Sequence, residues 1–449
     1  MQEMKNVNEE QGIVNKVATR IRNSASIKIA VICFIILILL IPGGMVSSLI
    51  QEREGRRNIV IEEISEKWGR SQVLSGPILT IPVDVKHYYI NDKPSIKTEY
   101  LHFLPKNLEI SGELKPRIRH RGIFEASLYQ AELDIRGRFD PVDIEASYDL
   151  NHEDIHWDRA FLSMGMSDMA GIRQYIKGYI NDEEVLVTPG VETDDVFSSG
   201  VSIPYAYSRD ESLDFHFQIN LNGSDELRFL PLGKSTKVDL QSTWNSPSFT
   251  GKFLPTEYEV KESGFKATWQ VSHFNRNYPQ SWKGAKKDLD ESSLGVKIFK
   301  GTDIYQKTTR TSKYSLMFIV FSFTAFFVAE ILTGSRVHPV QYLLIGFGII
   351  CFYVLLLALS EHVGFNTAFL AASAAVISMV GAYTKSILGV RMSLVTSLLL
   401  IALYTYLFVT LQLEDYALLM GATGLFFLLG LVMYVTRKVD WYALQGRTE

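Results

Sequence analysis

The chain has 449 residues, 47% hydrophobic and 21% charged, with a net charge of −4 from 45 basic and 49 acidic side chains. At about 150 residues per domain this length allows about three domains, and a chain with no cationic field is excluded as a nucleic-acid binder. Only Cys33 and Cys351 are present, both inside apolar runs, which rules out a disulfide framework or a cysteine zinc site in the polar half. The mean hydropathy of +0.07 hides a sharp segregation, because only 12 of the charged residues follow Lys313.

Taken in chain order, the first 26 residues form a basic tail carrying Lys5, Lys16, Arg20 and Arg22. Ile13, Val14, Val17 and Ile21 share one helical face, so this tail reads either as an interfacial helix on anionic lipid or as a disordered segment. A bilayer core about 30 Å thick needs about 20 helical residues, and six stretches have that length. They are 27–49, 314–333, 340–359, 365–383, 393–411 and 416–435. The first reads as a retained signal anchor rather than a cleaved signal peptide, since its apolar run passes Pro42 to Ile50 without an Ala-x-Ala site.

With a cytoplasmic N-terminus, Arg336, Lys385, Arg391 and the tail residues Arg437, Lys438 and Arg447 all fall inside, while the loops 360–364 and 412–415 hold no lysine or arginine. This is the positive-inside pattern, and it places both termini in the cytoplasm and residues 50–313 outside the membrane.

That outer segment alternates apolar and polar residues with period two at Ile78 to Val85, Leu213 to Ile219 and Lys237 to Leu240. Gly76-Pro77, Ser111-Gly112, Thr188-Pro189-Gly190, Asn222-Gly223 and Ser263-Gly264 read as turns between strands. The expected fold is therefore an α-helical membrane protein with a large β-rich extracytoplasmic domain. One N-terminal span leads into a β-sandwich-like domain, followed by a bundle of five spans over 314–435 and a cytoplasmic tail at 436–449. A helix is expected over Arg56 to Arg70, and the triplet Phe-Leu-Pro, at 103–105, 229–231 and 253–255, raises the question of an internal repeat.

Three patterns could carry chemistry. His152-Glu153-Asp154-Ile155-His156 matches the H-E-x-x-H string of zinc proteases, in which a helix sets two histidines on one face. Its flanks lack a helical apolar stripe, so it reads as a polar loop, and no metal or other cofactor is expected. Ser263 to Lys266 matches S-x-x-K but lies between two strand-like runs, as a hairpin turn would. In the membrane half, Glu330, His338, Glu361 and His362 are the ionisable candidates, because charge near a bilayer is costly and marks function. Glu330 and His338 fall at one end of the spans and Glu361 and His362 at the other, so the four do not make one site.

The chain also resembles a known family. The resemblance rests on Lys313-Tyr314 through Phe327 with Glu330, on His338-Pro339-Val340-Gln341-Tyr342, and on the long string from Phe352 through Leu359-Ser360-Glu361-His362. It continues in Asp415-Tyr416-Ala417, Thr436-Arg437 with Asp440-Trp441-Tyr442, Ser75-Gly76-Pro77-Ile78, and Phe253-Leu254-Pro255 with Glu262 to Phe265 and Trp269. These strings resemble the CreD family of bacterial inner-membrane proteins, described as cell envelope integrity proteins. The resemblance implies an inner-membrane protein with a periplasmic domain, a regulon tied to a two-component system, and a role in tolerance of envelope stress. It supplies no catalytic residues. The first expectation is thus a non-enzymatic envelope protein in the lipid bilayer that binds a periplasmic or cell-wall partner. The alternatives are a transporter or lipid-modifying protein using the span-end residues, and a metalloprotease resting on His152, Glu153 and His156 alone.

Overall fold

The structure is a computed structural model that describes residues 25–87, 95–142, 144–148, 150–209, 211–284, 289–298, 304–333, 337–413 and 416–437. The tail segment 13–21 and the loop and tail charges Arg336, Asp415, Lys438 and Arg447 lie outside these residues. The chain divides into two compact units, residues 1–56 with 302–449, and residues 57–301.

The first helix, α1 (Ala25–Trp68), has 44 residues and contributes to both units. The expected span and the expected helix near Arg56 to Arg70 are one element, because nothing between Ile50 and Trp68 stops a helix and Gly69, at φ +132°, ends it. Pro42 and the pair Gly43-Gly44 lie inside it without breaking it.

The second unit is β-rich. Its strands are β1 (Gln72–His87), β2 (Ser95–Phe103), β3 (Asn107–Arg121), β4 (Phe124–Phe139), β5 (Phe161–Met166), β6 (Lys177–Ile180), β7 (Glu183–Val185), β8 (Thr188–Pro189) and β9 (Gly200–Pro204). They continue with β10 (Leu213–Ser224), β11 (Glu226–Phe229), β12 (Ser235–Ser242), β13 (Pro247–Gly251), β14 (Glu257–Lys261), β15 (Gly264–Ser272), β16 (Ser281–Lys283) and β17 (Leu294–Ile298). One short helix, α2 (Ile144–Tyr148), interrupts them. A nine-stranded sheet runs β13-β17-β11-β1-β5-β9-β8, with β2 on β1 and β16 on β2. An eight-stranded sheet runs β14-β15-β12-β3-β4-β10-β6-β7.

Period-two alternation sends one face of each sheet into a shared core. Leu79, Ile81, Val83 and Leu101 come from the first sheet, and Ile110, Leu133, Phe217, Val238 and Trp269 from the second.

Three expected turns lie inside strands. Ser111-Gly112 lies within β3 and Asn222-Gly223 within β10. A Cβ on Gly112 would stand 2.6 Å from a Leu133 methyl, and one on Gly223 would stand 2.2 Å from the Tyr129 hydroxyl. These glycines let neighbouring side chains approach the strand rather than let the chain reverse. Gly76-Pro77 likewise sits inside β1, where the register with β5 shifts between Ser75 and Ile78 as in a bulge. The Phe-Leu-Pro triplets follow the ends of β2 and β11, whereas the third links β13 to β14, so the three do not share one setting.

The first unit is helical: α3 (Ile304–Lys313), α4 (Ser315–Thr333), α5 (Pro339–Val363), α6 (Phe365–Gln412) and α7 (Ala417–Thr436) join the first part of α1. Helix α6 contains a break at Gly389, at φ +82°, between the two expected spans 365–383 and 393–411. Among the described residues, α1 from Lys28, α5 and α6 are each long and apolar enough to cross a membrane, and α3 with α4, bent by 43°, makes a fourth by length and composition. Aromatic rings fill the centre, with Tyr404 lying 4.6 Å from Phe352 and 5.1 Å from Phe318 between ring centroids. Gly346 of α5 leaves the space that the Leu39 side chain of α1 occupies.

Candidate functional site: two carboxylate clusters in the helical unit

Glu330 lies in the last turns of α4 and is 4% exposed. Its Oε1 accepts a hydrogen bond from the Val337 N–H at 2.9 Å and pairs with the Lys28 ammonium of α1, and its Oε2 accepts from the Tyr342 hydroxyl of α5 at 3.2 Å. Three donors from other parts of the helical unit therefore converge on one carboxylate. Removing a charge from water costs several kcal/mol, about as much as a well-formed pair with its hydrogen bonds returns.

Glu361 repeats this arrangement near the other end of α5, with a side chain only 3% exposed. Arg53 of α1 grips it bidentately, Nε to Oε1 at 3.0 Å and Nη2 to Oε2 at 2.7 Å. The Tyr305 hydroxyl of α3 donates to Oε1 at 2.9 Å. Planar guanidinium matched to planar carboxylate is the strongest geometry available to an ion pair.

Lys28 and Arg53 are 25 positions apart on one helix, about 37 Å of rise, so α1 is held at both ends of its apolar stretch. The sequence placed Glu330 and Glu361 at opposite ends of the spans, and the structure keeps them there in separate clusters. It brings neither histidine into them. His338 is exposed and caps α5, its Nδ1 accepting from the Val340 N–H at 3.3 Å while Gln341 accepts from its own N–H. His362 is exposed in the last turn of α5. Sequence reasoning missed Lys28, Arg53, Tyr305 and Tyr342 as partners. The available signal was a cation at each end of the first apolar run, Lys28 at its start and Arg53 just past its end.

In the β-rich unit the zinc-like string is split. His152 opens a single 3-10 turn and its Nδ1 lies 2.9 Å from Glu145, whereas His156 Nε2 lies 3.0 Å from Asp84. Between them Ile155 forms a bridge with Val83 and is buried, so the segment is extended where a zinc helix would be needed. Glu153 stays exposed. Among the described residues, no three His, Cys, Asp or Glu side chains are grouped to hold a metal. Ser263 and Lys266 flank a hairpin turn, with Lys261 opposite Gly264.

Buried titratable groups also lie outside the predicted motifs, and one of them is a histidine. His102 of β2 is fully buried, with Nδ1 3.0 Å from the Thr80 hydroxyl and its ring 5.4 Å from that of Trp282. The Asp195 carboxylate lies 3.5 Å from its Nε2. Burial lowers its pKa to about 4 and outweighs the opposing pull of Asp195, so the ring is neutral at pH 7.

Open recesses lie among the described residues of the β-rich unit. One, of about 590 Å³, crosses the outer face of the eight-stranded sheet and is lined by Glu113, Glu132, Asp134, Asp239 and Lys266 among others. The second, of about 660 Å³, is bounded by Ser75, Ser167, Phe197, Leu230 and Asp290.

The family model described as "Inner membrane protein CreD" matches residues 24–442. The chain belongs to the CreD family. It is 34% identical over 416 residues to the inner membrane protein CreD of Escherichia coli (strain K12), covering 91% of this chain and 92% of that one. Both carboxylate clusters of this CreD-family chain fall inside the matched residues. Among solved structures, an M1 zinc metallopeptidase from Deinococcus radiodurans bound to a Tyr-Ser-Ala substrate matches 38% of this chain and 39% of its own at 12% identity, with a TM-score of 0.20. A likeness of that size carries no argument about fold or chemistry.

Proposed function

We propose that this CreD-family chain is a multi-pass inner-membrane protein that contributes to envelope integrity and stress tolerance by binding, without catalysis, a periplasmic or cell-wall partner through its β-rich unit. In this reading six spans cross the membrane, both termini are cytoplasmic and the β-rich unit is periplasmic. The lysine and arginine distribution supports that topology.

The observation that carries the proposal is the saturation of Glu330 and Glu361. A carboxylate that shuttles protons or ions must exchange partners, whereas each of these is held by a cation and by hydroxyl or amide donors from other elements. Their role is then to fasten α1, and the surface left for recognition is the β-rich unit. The same pairing favours retention of the first span as an anchor.

The test is complementation of a deletion strain scored for sensitivity to detergent and to a β-lactam. Residues 51–313 tethered by an unrelated single transmembrane helix are expected to restore tolerance. Failure at normal abundance, with rescue by the full chain, would assign the activity to the membrane half.

A further inference from the structure

We propose that strand β14, the free edge of the eight-stranded sheet, pairs antiparallel with β14 of a second copy of this chain about a two-fold axis at Val260. Strand β14 is the terminal strand of its sheet and all five of its residues are exposed. It contains neither a proline nor a bulge, and the edge-blunting device it does carry is charge, in Glu257, Glu259 and Lys261. Its neighbourhood is apolar as well as open, with Leu254 71%, Tyr258 65% and Val260 43% exposed.

The register against β15 fixes the two faces. Glu257 and Glu259 stand opposite Thr268 and Lys266 on the outer face, while Tyr258 and Val260 stand opposite Ala267 and Phe265 on the face that leads into the core. The ring of Tyr258 lies 5.3 Å from that of Phe249, so the apolar side of the edge continues into the unit.

The choice of a second copy follows from the order of charges. In an antiparallel pair centred on Val260, Glu259 of each chain faces Lys261 of the other, which makes two cross-strand ion pairs and sets Val260 against its own copy. A parallel in-register pair would set Glu259 against Glu259. Within one chain the Lys261 ammonium already lies 2.7 Å from Glu259, so the two side chains share a face and reach far enough to pair. The edge is its own complement in one orientation only. With the axis at Val260 the paired stretch is Glu259–Lys261, so a few central backbone hydrogen bonds add to the two ion pairs, and the charges supply orientation.

The experiment uses the full chain in native membranes, with Cys33→Ser and Cys351→Ser as background. Val260→Cys, placed on the axis, is expected to give a disulfide-linked homodimer on mild oxidation, whereas Leu186→Cys, more exposed still and directly after β7 at the opposite edge of the sheet, is expected to give none. Adding Lys261→Glu should lower the Val260→Cys cross-link about fivefold, since two ion pairs become repulsive. Exchanging the charges in Glu259→Lys/Lys261→Glu should restore it, which a general loss of folding would not allow. The proposal is overturned if Val260→Cys yields no homodimer while the reduced protein elutes like the parent. It is also overturned if Val260→Cys links to another protein instead, or if the charge exchange fails to rescue.

Discussion

The two units treat charge in opposite ways. In the helical unit ionised side chains are few, and among the described residues the deeply buried carboxylates Glu330 and Glu361 each take a cation together with hydroxyl or amide donors. In the β-rich unit charges are many and their pairs lie at the surface, as in Arg138 with Asp214, where both side chains are 50% exposed. Water can replace any one partner in the second case but not in the first. The same chemical contact is therefore a fastening in one unit and a minor surface contact in the other.

The largest effect should follow from removing one side of a buried pair. Arg53→Ala leaves Glu361 without its guanidinium and is expected to destabilise the helical unit by about 3–5 kcal/mol. Thermal unfolding in detergent would read this as a large drop in midpoint. The double variant Arg53→Met/Glu361→Leu should recover most of the loss, because an apolar pair of similar volume avoids the desolvation cost. Recovery would separate an unpaired charge from lost packing.

An effect of comparable size without any charge is expected at the core of the β-rich unit. Trp269 is fully buried, and its indole N–H donates to the Phe253 carbonyl at 3.2 Å. Trp269→Ala should cost about 3–5 kcal/mol through the cavity it leaves, measured by urea unfolding of the full protein.

A smaller, pH-dependent effect belongs to His102. The unfolded ring binds a proton below its ordinary value of 6.5, but the folded ring does so only near 4. Protonation thus favours the unfolded state as pH falls from 6.5 to about 4, with a slope of at most about one proton. His102→Phe should flatten the stability profile in that window. The residual slope at lower pH is expected from Asp84 and Asp214, whose carboxyls are held below 3.8 mainly by hydrogen bonds from Thr98 and Arg138 respectively.

The smallest effect is expected for the exposed Arg138 and Asp214. Arg138→Ala should change stability by about 1 kcal/mol or less and should matter less as salt is raised.

Much of this contrast was legible in the sequence. Long apolar runs announce helices because nothing else satisfies a backbone in lipid, and β10 and β12 announce themselves by strict alternation from Leu213 and from Lys237. The continuity of α1 was not legible, since a change from apolar to polar residues looks like a boundary although it contains no helix stop. Gly112 and Gly223 were misread because turn chemistry and close packing both select glycine, and only the partner across the strand distinguishes them. The candidate carboxylates were found by their cost in an apolar setting. Their partners were not, because Lys28 and Arg53 precede Glu330 and Glu361 by about 300 residues and no periodicity links them.

The most direct test of the central claim, that the buried carboxylates fasten the fold and do no chemistry, is complementation of a deletion strain with Arg53→Met/Glu361→Leu. Full tolerance of detergent and β-lactam at normal abundance is the predicted result. Loss of tolerance by a protein that reaches the membrane with unchanged abundance and unfolding midpoint would contradict the claim and assign Glu361 a direct part in the activity.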